Sequence, residues 1–237
     1  MYSVVDVRKP DAFAGLFISL EGIDFSGKSL QCLRLREKLV REWADGDASR
    51  VLLFREPGGT EISERIREIL LDRSLFQMDP HTELLLYAAA RSQLVMEKIV
   101  PALREGHIVI CDRFHDSTTA YQGYGRGIPL ELIEKAHELG THGILPDLTI
   151  VLDLPPERAF ARQIKAHRSR DRMESEQLDF YRRVRDGFRQ LASREPGRVK
   201  LVNADRPVEE ISGEIWDMVW ALISSRIEGG SGVSGGR

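Results

Sequence analysis

Residues Gly22 to Ser29 read Gly-Ile-Asp-Phe-Ser-Gly-Lys-Ser, the pattern G-x-x-x-x-G-K-S. An apolar run, Leu16–Leu20, precedes it, and a stretch with helical periodicity, residues 28–43, follows. The glycines permit a tight turn whose N–H groups face inward and cradle phosphate oxygens. Lys28 supplies a point charge for β- and γ-phosphates, and Ser29 offers a hydroxyl to Mg²⁺. A helix starting at Lys28 adds the positive end of its dipole. The pattern therefore predicts a nucleoside triphosphate site built from Gly22, Ile23, Asp24, Phe25, Ser26, Gly27, Lys28 and Ser29.

Short apolar runs recur along the chain, at 16–20, 50–54, 107–111, 148–152 and 199–202. Their length and β-branched content predict strands buried on both faces. Helical patterns separate them, at 28–43, 61–71, 81–104, 156–168, 174–194 and 207–226. Strands alternating with helices predict an α/β fold: the three-layer P-loop NTPase arrangement, a five-stranded parallel sheet with helices on both faces. Ligands in such sheets bind at the carboxyl ends of the strands, so the residues just after each strand are expected to carry the chemistry.

The rest of the composition narrows the class. The 237 residues carry a net charge of -3, which argues against a nucleic-acid coat protein. Two cysteines, Cys32 and Cys111, are too few for a disulfide scaffold and suit a reducing compartment. There is no signal-like apolar segment near Met1 and no run of about 18 apolar residues, so a cytoplasmic protein with no membrane partner is expected. Residues 1–14 read as an extension without a motif, residues 15–226 as one domain, and the Gly/Ser-rich 227–237 as a flexible tail. Arginine outnumbers lysine 27 to 7, a bias that suits phosphate recognition where position supports it.

A triphosphate site alone fits a GTPase, an ATPase or a kinase. No guanine-reading N/T-K-x-D segment is present. The third strand ends in Cys111-Asp112-Arg113 and not in the Asp-Glu pair of a motor ATPase. An arginine beside the metal-side aspartate points to a second phosphate near the first, as in a kinase with a phosphorylated acceptor. Polar residues cluster after three strands, in Arg55–Thr60 (REPGGT) and in Asp112–Gly127 (DRFHDSTTAYQGYGRG), and Tyr87 and Arg91 share one helix face at spacing i, i+4.

On these motifs, together with Pro146–Glu157 (PDLTIVLDLPPE) and Asp171–Glu174 (DRME), the chain resembles the bacterial-type thymidylate kinases over about residues 15 to 225. The resemblance implies phosphoryl transfer from ATP to dTMP with Mg²⁺, held by Ser29 and, partly through water, Asp112. It implies that Asp24 approaches the sugar 3′-hydroxyl, Tyr87 stacks on thymine and Arg91 donates to a thymine carbonyl. Ser117, Thr118 and Gln122 fall where the family contacts the nucleotide, and Tyr121 where a ring crowds the 2′ position. Arg113 matches the arginine bridging both phosphates; Arg55, Glu56 and Arg67 match acceptor-side contacts. A homodimer is also implied.

The family places a further catalytic arginine either in the phosphate loop, where this chain has Phe25, or in a helical lid, here about 162–174. Arg168 and Arg170 are the lid candidates, and Arg172 is expected to pair with an acid. Residues 158–194 hold ten arginines and Lys165 against five acids. Phe25, Leu30 and Tyr87 depart from the family's commoner residues without removing a required charge. The rival readings are a nucleoside monophosphate kinase of other specificity, and a nucleotide-binding regulatory protein without transfer.

Overall fold

A computed structural model describes residues 13–165 and 171–230. Its sheet is five-stranded and parallel, in the order β2-β3-β1-β4-β5. The strands are β1 (Leu16–Glu21), β2 (Val51–Arg55), β3 (Ile108–Asp112), β4 (Leu148–Asp153) and β5 (Val199–Asn203). The three inner strands are buried almost throughout, while the edge strands β2 and β5 are only partly so. That is why the inner three read as unbroken apolar runs.

Helices α1 (Lys28–Glu42), α2 (Glu61–Leu71), α3 (Pro80–Leu94) and α4 (Val100–Arg104) come before β3. After it come α5 (His115–Thr118), α6 (Leu130–Thr141), α7 (Pro156–Lys165), α8 (Leu178–Arg194) and α9 (Val208–Gly230). Alternation along β1 separates two cores. Leu16, Ile18 and Leu20 pack with Leu35 and Leu39 of α1 and Ile215 and Val219 of α9. Phe17, on the other face, packs with Leu94 at the end of α3 and Leu103 of α4.

Several expectations change. The single helix expected over 81–104 is broken by a π-helical turn, Val95–Ile99. The helix expected from 174 begins at Leu178, because Met173–Ser175 forms a separate short turn. Helix α9 runs on through Gly230, so the first residues assigned to the tail are helical. Residues 115–127, read only as motif, and 128–141, to which no element was assigned, form α5, a π-helical segment (Thr119–Gly125) and α6. Arg168 and Arg170 lie outside the described residues, as does most of the N-terminal extension.

Register places the site. Leu20 of β1 pairs with Asp112 of β3, and Asp112 pairs with Arg55 of β2. Adjacent strands lie about 4.8 Å apart, so the loops that follow these three strands leave the sheet side by side.

Candidate active site

The phosphate loop follows β1. Gly22 has φ 131°, and a Cβ there would lie 2.6 Å from the Leu152 carbonyl oxygen. Only glycine fits. Gly27, at φ 102°, immediately precedes α1 and turns the chain into it. Phe25 also sits in the left-handed region, at φ 60°, at a cost of roughly 1 kcal/mol for a residue with a Cβ. Arg162 of α7 donates to the Phe25 and Ser26 carbonyls at 3.3 Å each, bracing the loop from outside.

Lys28 is buried and donates to the Ile23 carbonyl at 2.8 Å. Burial and the nearby Arg113 charge pull its ammonium down to about 8, although Asp24 and Asp112 oppose the shift. Ser29 donates to Asp112 Oδ2 at 2.5 Å. A hydroxyl and a carboxylate thus converge beside Lys28, a hard-oxygen pair of the kind Mg²⁺ takes while its other positions go to water and phosphate. No cluster of three or more His, Cys, Asp or Glu suited to a metal occurs among the described residues. Such a cluster is not needed by an ion that draws its remaining ligands from substrate.

Arg113 follows β3 with φ 74°. Its backbone N–H donates to the Leu20 carbonyl. Its Nη1 donates to the Gly22 carbonyl at 2.8 Å and to Ser117 Oγ at 3.0 Å, and its Nη2 to Asp24 Oδ1 at 2.5 Å and Tyr121 OH at 3.1 Å. Burial would raise the Asp24 carboxyl, but the charges of Arg113 and Lys28 and two hydrogen bonds bring it down to about 2. Behind Arg113 stands Glu21, fully buried at the end of β1. It accepts from the Phe114 N–H at 2.6 Å and from Ser117 Oγ at 2.5 Å.

Two clefts meet at Asp24, Glu56, Arg67, Arg113 and Asp171. One runs over the phosphate loop and includes Lys28, Ser29, Arg55 and Asp112. The other adds Tyr87, Arg91, Ser117, Thr118, Tyr121 and Gln122, an aromatic face beside polar side chains, as small-molecule sites combine them. Arg91 is 1% exposed. Its Nε forms an ion pair with Glu56 Oε1 at 2.7 Å, and its Nη2 donates to Thr118 Oγ1 at 2.7 Å. Its buried Nη1 has no hydrogen-bond partner among the described residues. Arg67, on α2, donates to the Pro57 carbonyl at 2.9 Å, and Arg55 pairs with Glu64 at 3.3 Å.

A family model for thymidylate kinases matches residues 20–215. The chain belongs to the thymidylate kinase family. A thymidylate kinase of Desulforudis audaxviator is 46% identical over 225 residues, 94% of this chain and 99% of that one. One from a Synechococcus strain is 47% identical over 204 residues, 86% of this chain and 94% of that one. The crystal structure of thymidylate kinase from Ehrlichia chaffeensis superimposes with a TM-score of 0.70 at 35% identity, covering 87% of this chain and 98% of that one.

Residues from the phosphate loop, REPGGT, the Tyr87/Arg91 helix, the stretch after β3 and DRME line the two clefts, whereas none from Pro146–Glu157 does, and Arg168 and Arg170 are not described. Arg172 does pair with an acid, Glu83, at 2.7 Å. Four site-shaping residues escaped the sequence reading. Glu21 stands between the apolar run and the phosphate loop with no pattern of its own, and Arg162 and Tyr181 belong to helices whose approach to the loop is tertiary. Tyr181 OH lies 3.1 Å from both Asp24 Oδ2 and the Met173 carbonyl. Glu83 was legible in principle: with Tyr87 and Arg91 it forms an i, i+4, i+8 stripe on α3.

Proposed function

We propose that this chain transfers the γ-phosphoryl group of ATP to dTMP, giving dTDP and ADP, with Mg²⁺. The observation that carries the reading is Arg113, which stands where the phosphate-loop cleft and the base-side cleft meet. The acceptor phosphate of dTMP, with a second pKa of about 6, is largely dianionic near pH 7 and needs no general base. What the protein must supply is alignment and charge neutralisation.

The chain's groups divide that work. The phosphate-loop N–H groups and Lys28 receive the β- and γ-phosphates. Ser29 and Asp112 would hold Mg²⁺, which shields charge on those phosphates. Arg113 reaches both phosphates from its fixed turn, and Arg55 and Arg67 add positive charge on the acceptor side. Asp24 takes the sugar 3′-hydroxyl, and the Tyr121 ring occupies the space a 2′-hydroxyl would need. Tyr87 offers a face to the base. The spare Nη1 of Arg91 is a buried donor suited to a pyrimidine carbonyl, where cytosine would present an amino donor. A lid arginine, Arg168 or Arg170, completes the neutralisation.

We also propose a cytoplasmic homodimer. Its support is the exposed apolar side chains Ile62 and Ile69 on α2, Leu85 on α3, and Leu132 and Leu139 on α6, with α3 packed against both α2 and α6. No helix among the described residues is long and apolar enough to cross a membrane. No role with nucleic acid enters this reading.

The test is ADP release with MgATP and dTMP, dUMP, UMP, dCMP, CMP, AMP and GMP in turn. Strong turnover with dTMP, less with dUMP and almost none elsewhere is expected. Preference for a cytosine or ribose nucleotide would move the chain to another acceptor, and ATP binding without turnover on any acceptor would favour a regulatory role.

A further inference from the structure

Glu83 is 1% exposed, yet it carries four polar contacts. Arg126 donates from Nε to its Oε1 and from Nη2 to its Oε2, each at 3.1 Å. Arg172 Nη1 stands 2.7 Å from Oε2. Gln122 Nε2 donates to Oε1 at 2.8 Å. Burial favours the neutral acid here, but the hydrogen bonds from Arg126 and Gln122 and the charges of both arginines outweigh it and hold the carboxyl below its ordinary range. Glu83 is therefore an anion near neutral pH.

An ionised carboxylate accepts hydrogen bonds and donates none. Gln122 can meet it only with its NH₂ group, so the direction of that amide is fixed by chemistry. This is the one side-chain hydrogen bond of Gln122 among the described residues. The amide oxygen lies on the opposite side of the group, and Gln122 lines the base-side cleft together with Arg91.

We propose that Glu83 is a positioning residue for base specificity, locking the Gln122 amide so that its oxygen faces the cleft. The cleft then presents an acceptor, Gln122 Oε1, beside a donor, Arg91. Thymine and uracil complement that pair, with a carbonyl at C4 and an N–H at N3. Cytosine opposes it at both positions, with an amino group and an unprotonated nitrogen. This inference rests on the acceptor being a pyrimidine nucleotide.

The test is Glu83→Gln. A glutamine at 83 with its oxygen in the Oε2 position keeps the Arg126 Nη2 and Arg172 Nη1 contacts, gives up the Arg126 Nε bond, and puts its NH₂ in the Oε1 position facing Gln122. Gln122 then accepts from it and swings its NH₂ into the cleft. The ratio of kcat/KM for dTMP to that for dCMP should fall on the order of tenfold to a hundredfold, the scale of one base-edge hydrogen-bond pair. A structural lesion alone would lower both values and leave the ratio intact; that result would overturn the proposal.

If the variant does not fold, the parent protein can be assayed with N3-methyl-dTMP, which lacks the N3–H. A loss of similar size against dTMP is expected, and equal turnover of the two would overturn the proposal as well. Failure of the parent to phosphorylate dTMP at all would instead count against the proposed function, so the two failures are distinguishable.

Discussion

Arg113 and Asp24 meet where the two clefts join, with Nη2 2.5 Å from Oδ1. Asp24 belongs to the phosphate loop after β1, and Arg113 to the turn after β3. Their pairing, with the Arg113 bond to the Gly22 carbonyl, ties donor-side and acceptor-side loops into one unit. The guanidinium fork makes four such contacts at once, two through each terminal nitrogen. A lysine cannot reproduce that arrangement.

Arg113→Lys should therefore keep the fold and lose turnover. A fall in kcat on the order of 10²–10³ is expected, the range seen when one preorganised donor to a developing charge is removed. Steady-state kinetics with ATP and dTMP varied independently will check it. An unchanged kcat would show that Arg113 is only a tie between loops.

Lys28 makes a proton-linked prediction. Burial and the charge of Arg113 pull its ammonium down to about 8. A bound triphosphate favours the charged form and raises that value again. ATP binding near pH 8 should therefore take up a proton, and affinity should weaken as pH rises through about 8. Calorimetry at pH 8 in two buffers of different ionisation enthalpy reads this directly. Lys28→Ala should abolish the uptake, with turnover down on the order of 10²-fold or more and the unfolding temperature little changed.

Glu21 makes a prediction about stability. Burial, helped by the charge of Asp116, pushes its carboxyl up to about 8 from an ordinary 4.5, despite hydrogen bonds from Ser117 and Phe114. The folded state therefore holds a proton that the unfolded state releases above pH 4.5. This stabilising contribution is complete below about 4.5 and is lost as pH rises through about 8. Glu21→Gln keeps the shape and cannot titrate. Relative to that variant, the parent should lose stability steadily between pH 4.5 and 8, at a slope of up to about 1.4 kcal/mol per pH unit. Parallel slopes in urea unfolding across that window would rule the idea out.

How much of this was legible in the sequence depends on how local the signal is. β1 and the phosphate loop were legible because a buried strand, a glycine turn and a helix start are written in adjacent residues. The Tyr87/Arg91 pair was legible because helical spacing fixes a shared face. Helix α6 is less legible: Leu130, Ile133 and Ala136 mark its inner face, but it follows directly on a polar, glycine-rich stretch that breaks the period. The π-helical segments at Val95 and Thr119 break the regular period on which pattern reading depends. Glu21 ends a strand that is apolar but for Ser19, and only the turn at Arg113 gives its carboxylate a use. Tyr181 reaches Asp24 across 157 positions of chain, which no spacing argument contains.

Tyr121 allows sugar selectivity to be separated from hydrogen bonding. Its OH accepts from Arg113 and lies 3.1 Å from Asp24 Oδ2, while its ring packs edge-on against Phe180, Tyr181 and Phe188. Tyr121→Phe keeps the ring and should preserve the preference for dUMP over UMP, with a several-fold loss in kcat. Tyr121→Ala should open space beside the sugar and narrow that preference by tenfold or so, within the 1–3 kcal/mol typical of a small steric change in a pocket. Equal selectivity in the two variants would remove the ring from the specificity account.

Beneath the site, Arg198 grips Asp116 with Nη1 2.6 Å from Oδ2 and Nη2 2.9 Å from Oδ1. Asp116 is 1% exposed and also accepts from Thr149 Oγ1 at 2.9 Å. It immediately precedes Ser117, so the ion pair sits under the helix that carries Ser117 and Thr118 to the cleft. Arg198→Met would leave a buried carboxylate without its cation. A loss of about 3–5 kcal/mol in unfolding free energy is expected for breaking one side of such a pair. Arg198→Met with Asp116→Leu removes both charges and should recover much of that loss, since the desolvation of two ions disappears with their attraction. Urea unfolding of the parent, both single variants and the double variant closes the cycle and yields the coupling energy. If the double variant is no more stable than Arg198→Met, the stranded charge is not the source of the loss, and the packing of the arginine stem against its neighbours must be.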